Sequence, residues 1–317
     1  PSMQSPVDDK KQLDLITNKG RFQALKELGY VVSQESVNFE SRKLLGRGNF
    51  GTAWRCDKTD GTIIVIKEPH HRGITSADWK ECRACFQLKR HPNVLNLLGV
   101  LYYNEKLCLA SDFCERGSLD KLHHEIKDLK TILNIVTGLA KAIRHLHTSD
   151  PCVLHSDIRC ANVLLDQRGN PVLCDWGLAL CLDCPQSAYR MSTGTMLPWP
   201  WTAPEVLIDR TMTVKSDIYM FGVTVWEIMS NGKKPFDFDT LAWQVSVKQF
   251  AKQIREGKRT LSFPEVPPEE DSIDRKKLIS LAKSCINPNP EKRPNAKKIV
   301  VTVGLMGNGD IAKAESM

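Results

Sequence analysis

The 317-residue sequence has no uncharged apolar run long enough to span a bilayer and no N-terminal stretch of signal-peptide type. It has no internal repeat, which excludes a solenoid, and no low-complexity tract. Its basic residues form no stripe. The formal net charge is +7, yet Lys and Arg are dispersed, with small clusters only at Lys233-Lys234, Arg275-Lys276-Lys277 and Lys297-Lys298. Nucleic acid therefore has no evident platform, and the mildly basic surface suits smaller anionic ligands. Two Cys-x-x-Cys pairs, Cys82/Cys85 and Cys181/Cys184, lack the further pair or histidines that a zinc or redox centre needs at matching spacing. The 11 cysteines are odd in number and irregular in spacing, which fits a reducing compartment rather than a disulfide framework.

What is present is the composition of a globular chain, 41% hydrophobic and 26% charged, long enough for two lobes. Residues 1–37 are polar and mixed, with an amphipathic helix expected within Leu13–Leu28. From Asn38 the pattern becomes strand, turn, strand. Phe39–Leu45 leads into Gly46-Arg47-Gly48-Asn49-Phe50-Gly51, and the β-branched run Thr62–Ile66 ends at Lys67. A helix is expected over Ser76–Leu88, capped by Ser76, and short strands over Val94–Ser111. After Gly117 the period lengthens. Ile132, Val136, Leu139, Ile143 and Leu146 mark an amphipathic helix. Ser216–Ser230 is apolar on nearly all sides, as a buried helix must be. The reading is α+β, with a small β-rich lobe joined to a larger helical lobe near Asp112-Phe113-Cys114.

One stretch carries the chemistry. In His155-Ser156-Asp157-Ile158-Arg159-Cys160-Ala161-Asn162 an acid precedes an amide by five residues. After a hairpin flanked by Val163-Leu164-Leu165 and Pro171-Val172-Leu173 comes a second acid, in Asp175-Trp176-Gly177. Such a set can place one carboxylate at a reacting hydroxyl and offer an amide and a second carboxylate to a divalent metal. Phosphoryl transfer uses that equipment, because its catalysis is mostly positioning and charge neutralisation. Upstream, Gly46, Gly48 and Gly51 lie between strands and open no helix, so they form no dinucleotide fingerprint. They suit a hairpin whose backbone N–H groups cover phosphates. Lys67 at a strand end and Glu81 in the next helix could form an ion pair that holds an ammonium against phosphates.

Taken together, these motifs resemble the eukaryotic protein kinase family over residues 39–303. The resemblance implies a two-lobed fold, Mg-ATP as cofactor and a protein as substrate. It implies that Gly46, Gly48, Phe50 and Gly51 form a lid over ATP, with Ala53, Val65, Ser111, Asp112, Cys114 and Leu164 around the base. Ser111 stands at the gatekeeper position. Lys67 would grip the phosphates and Glu81 would hold Lys67. Asp157 would accept the substrate proton, and Asn162 and Asp175 would hold Mg²⁺. Glu205 of Ala203-Pro204-Glu205 would pair with Arg293, and Asp217 would fix the catalytic-loop backbone. His155, Trp176 and Tyr189 take regulatory places.

Two positions bear on the acceptor. Serine/threonine kinases usually carry Lys two residues after the catalytic Asp and Thr five residues before the Ala of Ala-Pro-Glu. Here Arg159 and Pro198 stand there, which resembles tyrosine kinases, with Pro198 and Trp201 as the substrate platform. Departures also appear. Ser156 replaces the Arg of His-Arg-Asp, so activity should depend weakly on phosphorylation of Tyr189. Trp176 replaces Phe, with Cys85 expected to make room for it. Cys174 should border the nucleotide. The expected organisation is an extension over 1–37 of juxtamembrane or linker type, a first lobe over 38–111, a hinge over 112–116, a second lobe over 117–305 and a tail over 306–317. The expected setting is cytoplasmic, as a free enzyme or the intracellular part of a receptor. The alternatives are a pseudokinase scaffold and a serine/threonine or dual-specificity kinase.

Overall fold

The computed structural model describes residues 18–48, 51–71, 86, 88–237, 245–265 and 272–306. The chain divides into two compact units, one of residues 1–86 and 95–113, the other of 87–94 and 114–317. The first boundary departs from the sequence expectation. Residues 87–94 join the helical unit because Val94 bridges Leu173 and the Asn93 side chain donates to the Pro171 carbonyl at 2.8 Å.

In the first unit, α1 (Asn18–Glu27) precedes five antiparallel strands: β1 (Val37–Arg47), β2 (Gly51–Lys58), β3 (Ile63–Pro69), β4 (Leu97–Tyr103) and β5 (Lys106–Asp112). They lie in the order β1-β2-β3-β5-β4. The period-2 alternation sorts the faces. Cys56, Ile64, Ile66, Cys108 and Ala110 are buried in one core cluster with Val37 and Leu101. Their alternates, Ala53, Val65, Lys67, Leu109 and Ser111, share the other face, as the pairs Ala53↔Lys67, Lys67↔Leu109 and Val65↔Ser111 require. A second cluster buries Leu25 with Val100 and Leu107. Residues 30–32 run beside β4. Val31 bridges Val100 in parallel, and the backbone bonds Val32 N–H to Val100 O and Val100 N–H to Tyr30 O are both 2.7 Å long. The Tyr30 ring stacks on Phe86 at 3.8 Å. The segment expected as a linker thus packs into the first unit through Phe22, Leu25, Tyr30 and Val31.

The second unit holds β6 (Gly117–Ser118), α2 (Leu129–His147), β7 (Cys152–Leu154), β8 (Val163–Leu165), β9 (Pro171–Leu173), β10 (Leu180–Leu182), β11 (Tyr189–Arg190), α3 (Pro204–Asp209), β12 (Thr211–Met212), α4 (Val214–Met229), α5 (Val247–Arg255), α6 (Ile273–Cys285) and α7 (Ala296–Gly304). Helix α2 starts where the Asp128 carboxylate accepts from Thr131 N–H at 2.8 Å, and that bond lowers the Asp128 pKa. Helix α4 starts at a Thr213/Ser216 capping box and is buried continuously from Ser216 to Met229. Its all-round apolarity, read from the sequence, is matched by burial on every side.

Candidate active site

Each unit carries its own share of the expected site. In the first, β1 and β2 form the glycine hairpin, with Gly48 N–H donating to Gly51 O at 2.9 Å. A Cβ on Gly51 would sit 2.5 Å from the Glu68 carbonyl oxygen, so only glycine lets β2 approach β3 there. A Cβ on Gly46 would meet nothing within 4 Å, so bare backbone faces open space. Lys67 lies opposite Ala53 on β2 and Leu109 on β5, two residues along β3 from Val65. Ser111 is 8% exposed and lies in register with Val65 and Leu97. At the end of β5, Asp112 accepts from Asn96 Nδ2 at 3.1 Å. Phe50, Glu81, Cys82 and Cys85 lie outside the described residues.

In the second unit, β7 delivers His155, Ser156 and Asp157, all buried. Ser156 has φ +67°, a left-handed conformation that a non-glycine side chain resists. Asp217, at the start of α4, holds it there. Its Oδ2 accepts from His155 N–H and its Oδ1 from Ser156 N–H, both at 2.9 Å. His147 of α2 adds an Nε2 contact to Oδ2 at 3.0 Å. The Ser156 hydroxyl is buried and has no hydrogen-bond partner among the described residues. His155 donates from Nε2 to the Cys174 carbonyl at 2.9 Å and accepts Asp157 N–H on Nδ1 at 3.3 Å, which assigns its proton to Nε2. The Trp176 ring tilts against His155 at 5.3 Å.

These contacts present Asp157. Burial raises its pKa above the usual carboxylate value, with neighbouring Asp175 pushing the same way, while Arg159, His155 and a hydrogen bond with Asn162 oppose the rise. The Arg159 Nε is 2.9 Å from Asp157 Oδ1, an ion pair at contact distance but off the hydrogen-bond direction. The Arg159 guanidinium lies 5.8 Å from the Trp201 ring centre. Asn162 donates from Nδ2 to the Asp157 carbonyl at 2.8 Å, and its own carbonyl accepts Cys174 N–H at 2.9 Å. Asp175 follows at φ +67°. Two strained positions therefore bracket the acids and the amide. Leu164 sits on β8 opposite Val172.

The segment after Asp175 is ordered by two short pairings, β10 with β7 and β11 with β12, the latter setting Tyr189 opposite Met212. The Pro198 carbonyl accepts from Trp201 N–H, Thr202 N–H and the Thr202 hydroxyl at 2.9, 3.2 and 3.0 Å. Glu205 meets Arg293 as the resemblance implies. Cys181 lies on β10, and Cys184 is exposed beside the Ser187 hydroxyl.

One participant escaped the sequence reading. Glu227 of α4 is 6% exposed, and its Oε2 accepts from Cys160 N–H at 3.1 Å and Trp201 Nε1–H at 2.9 Å. It ties the loop after Asp157 to the segment around Trp201. An acid inside an otherwise apolar helix was the available signal, because a buried carboxylate must be given partners.

A family model described as protein tyrosine and serine/threonine kinase matches residues 39–303. The chain belongs to that family. The two units are the β-sheet and helical regions of its two-lobed fold. This kinase is 30% identical over 298 residues to phytosulfokine receptor 1 of Arabidopsis thaliana, covering 87% of this chain and 28% of that one. It is 30% identical over 300 residues to the probable serine/threonine-protein kinase drkB of Dictyostelium discoideum, covering 90% and 41%. It is 27% identical over 286 residues to serine/threonine-protein kinase PBS1 of Arabidopsis thaliana, covering 86% and 62%. The chain thus spans between 28% and 62% of the length of these relatives. No described helix is long and apolar enough to cross a membrane.

Proposed function

We propose that this kinase is catalytically active, uses Mg-ATP and phosphorylates tyrosine hydroxyls in protein substrates. When bound, Mg-ATP supplies the γ-phosphoryl group and the metal charge that neutralises it. The fit rests on the donor set. Asn162 and Asp175 are an amide and a carboxylate brought together through Cys174, the hard oxygen ligands that Mg²⁺ takes. Lys67, on the sheet face shared with Ala53 and Val65, is the cation for the phosphates, with Glu81 as its proposed partner. The bare hairpin at Gly46–Gly51 offers them backbone N–H groups.

Asp157 takes the proton of the substrate hydroxyl as its oxygen bonds to phosphorus. Arg159 steadies the resulting charge change from one side of Asp157, and Asn162 fixes the loop from the other. The observation that carries tyrosine preference is the Arg159–Trp201–Glu227 group beside Pro198. A guanidinium over an indole, with a proline in place of threonine, makes a flat wall suited to a phenol ring. Serine/threonine specificity is the second reading, favoured by the printed names of drkB and PBS1. Phospho-amino-acid analysis of peptide products, with Asp157→Asn as control, separates them. Phosphotyrosine is the expected product. Phosphoserine or phosphothreonine alone would overturn the preference, and no product would favour a pseudokinase scaffold. A cytoplasmic setting, free or as the kinase part of a receptor, accords with the receptor-type name of one relative.

A further inference from the structure

Beyond the catalytic acids, among the described residues one group of side chains collects three metal-capable donors. His123, Cys160 and Glu227 place a ring nitrogen, the thiol sulfur and a carboxylate oxygen all within 4.8 Å of one another. The three come from separate elements: the 3₁₀ turn His123–Glu125 ahead of α2, the catalytic loop three residues past Asp157, and the interior of α4.

We infer that His123, Cys160 and Glu227 form a binding site for one thiophilic divalent cation, Zn²⁺, that clamps the catalytic loop. Four observations carry this. The donor set is imidazole, thiolate and carboxylate, each of them a zinc ligand, and a thiolate discriminates against Mg²⁺ and Ca²⁺. The charges balance, because a thiolate and a carboxylate neutralise the ion in a site where Cys160 is 0% and Glu227 6% exposed. The site is also built around the imidazole. Gly232 has φ +76°, which favours glycine, and a Cβ there would lie 2.0 Å from His123 Cδ2 and 2.4 Å from Nε2, so the bare backbone gives the ring its present place. Finally, Glu227 is already oriented by Cys160 N–H and Trp201 Nε1–H, the outer contacts that hold a carboxylate ligand in place.

Zinc bonds of about 2.0 to 2.3 Å bring tetrahedral ligands to about 3.5 Å of one another, so donors now within 4.8 Å need closure by about 1.3 Å at most. The half-buried His123 ring can supply that by a side-chain rotation. Binding replaces the Cys160 thiol proton with the ion.

The test is a Co²⁺ titration of the full metal-free chain, followed by absorption and then by displacement with Zn²⁺. One equivalent of Co²⁺ should give tetrahedral d–d bands and a thiolate charge-transfer band, with release of about one proton per ion. Cys160→Ser should abolish the charge-transfer band. His123→Gln and Glu227→Gln should weaken binding at least about tenfold. The double variants Cys181→Ser/Cys184→Ser and Cys82→Ser/Cys85→Ser should bind as wild type. If Glu227→Gln does not fold, His123→Gln carries the test, because its ring is half-buried at the surface of the turn. Absence of a one-equivalent thiolate band, its survival in Cys160→Ser, or its loss in either cysteine-pair variant would overturn the site. The readout is independent of the acceptor hydroxyl and of kinase activity.

Discussion

Arg293 grips Glu205 across 88 positions of sequence in a two-pronged ion pair. Nη1 donates to Oε1 at 2.6 Å and Nη2 to Oε2 at 2.9 Å. The remaining guanidinium capacity is spent on the carbonyls of Asn287, Lys215 and Pro288, and the Tyr219 ring lies 5.0 Å below. Arg293 is 2% exposed. Arg293→Ala should therefore leave an uncompensated carboxylate and several carbonyls without donors, at a cost of about 3 to 5 kcal/mol. Arg293→Lys keeps the charge but not the fork and should recover only part of it. Urea unfolding midpoints of the three proteins check this. A wild-type midpoint for Arg293→Ala would show that the pair contributes nothing to stability.

Asp217 makes a second prediction. Its two oxygens restrain the left-handed Ser156 and, through His155, the neighbour of Asp157. Asp217→Asn turns one acceptor into a donor facing a backbone N–H, which costs about 1 to 3 kcal/mol in a buried site. The loop should then relax from its strained conformation. We expect kcat to fall by at least about tenfold, the equivalent of about 1.4 kcal/mol at the transition state, with KM for ATP little changed. A larger effect on KM than on kcat would place the role of Asp217 elsewhere.

The pH profile follows from burial. The Asp157 pKa is raised in the folded protein, so its ionised form is disfavoured by folding. Proton acceptance needs that ionised form. The acid limb of kcat/KM should lie above the pH of an ordinary carboxylate, and Arg159→Ala, which removes the main lowering influence, should shift it further up. Stability has the opposite sign. The contribution of Asp157 is present below its unfolded pKa and is lost as pH rises through the raised folded value. At neutral pH, Asp157→Asn should abolish turnover while leaving the melting temperature equal to or above wild type. A clear fall in melting temperature at pH 7, together with an unshifted acid limb in Arg159→Ala, would contradict this account.

Tyr189 tests the missing guanidinium. Where a kinase of this family carries Arg before the catalytic Asp, this chain has a buried serine hydroxyl with no partner among the described residues, which cannot form a charge-assisted pair with a loop phosphate. The backbone of the loop is instead held by β11–β12 pairing and by Arg210, whose Nη2 donates to the carbonyls of Ser192 and Thr195. Tyr189→Phe should keep kcat/KM within about tenfold of wild type, which is under about 1.4 kcal/mol. Steady-state kinetics on a dephosphorylated sample provide the comparison.

The legible features were those written in local pattern or fixed motif order. The β-branched run Thr62–Ile66 ending at Lys67 became strand β3, and the 3.6-residue period over Ile132–Leu146 became helix α2. The all-round apolarity of Ser216–Ser230 became the buried helix α4. What the sequence hid depends on contacts between distant positions. No local signal says that Val94 bridges Leu173, so the sequence alone offered no reason to group residues 88–94 with the helical unit. Glu227 reaches Cys160 across 67 positions, and the niche for His123 is made by Gly232, a residue that reads only as a turn. The polar texture of residues 1–37 concealed Leu25 and Tyr30, because two buried anchors suffice to dock a segment whose other side is wet.

That docking bears on where this chain can be trimmed. Strand β4 closes one side of the five-stranded sheet, and residues 30–32 occupy its outward backbone groups through the two 2.7 Å bonds at Val100. A version starting at Asn38, the boundary that motif order alone would suggest, would strip that cover and leave a sheet margin with unpaired donors and acceptors beside the apolar surface of Val100 and Leu107. Such a margin is a template for pairing with another chain. The shortened protein should self-associate and lose solubility while keeping every catalytic motif. An engineered start before Asn18 keeps the margin sealed.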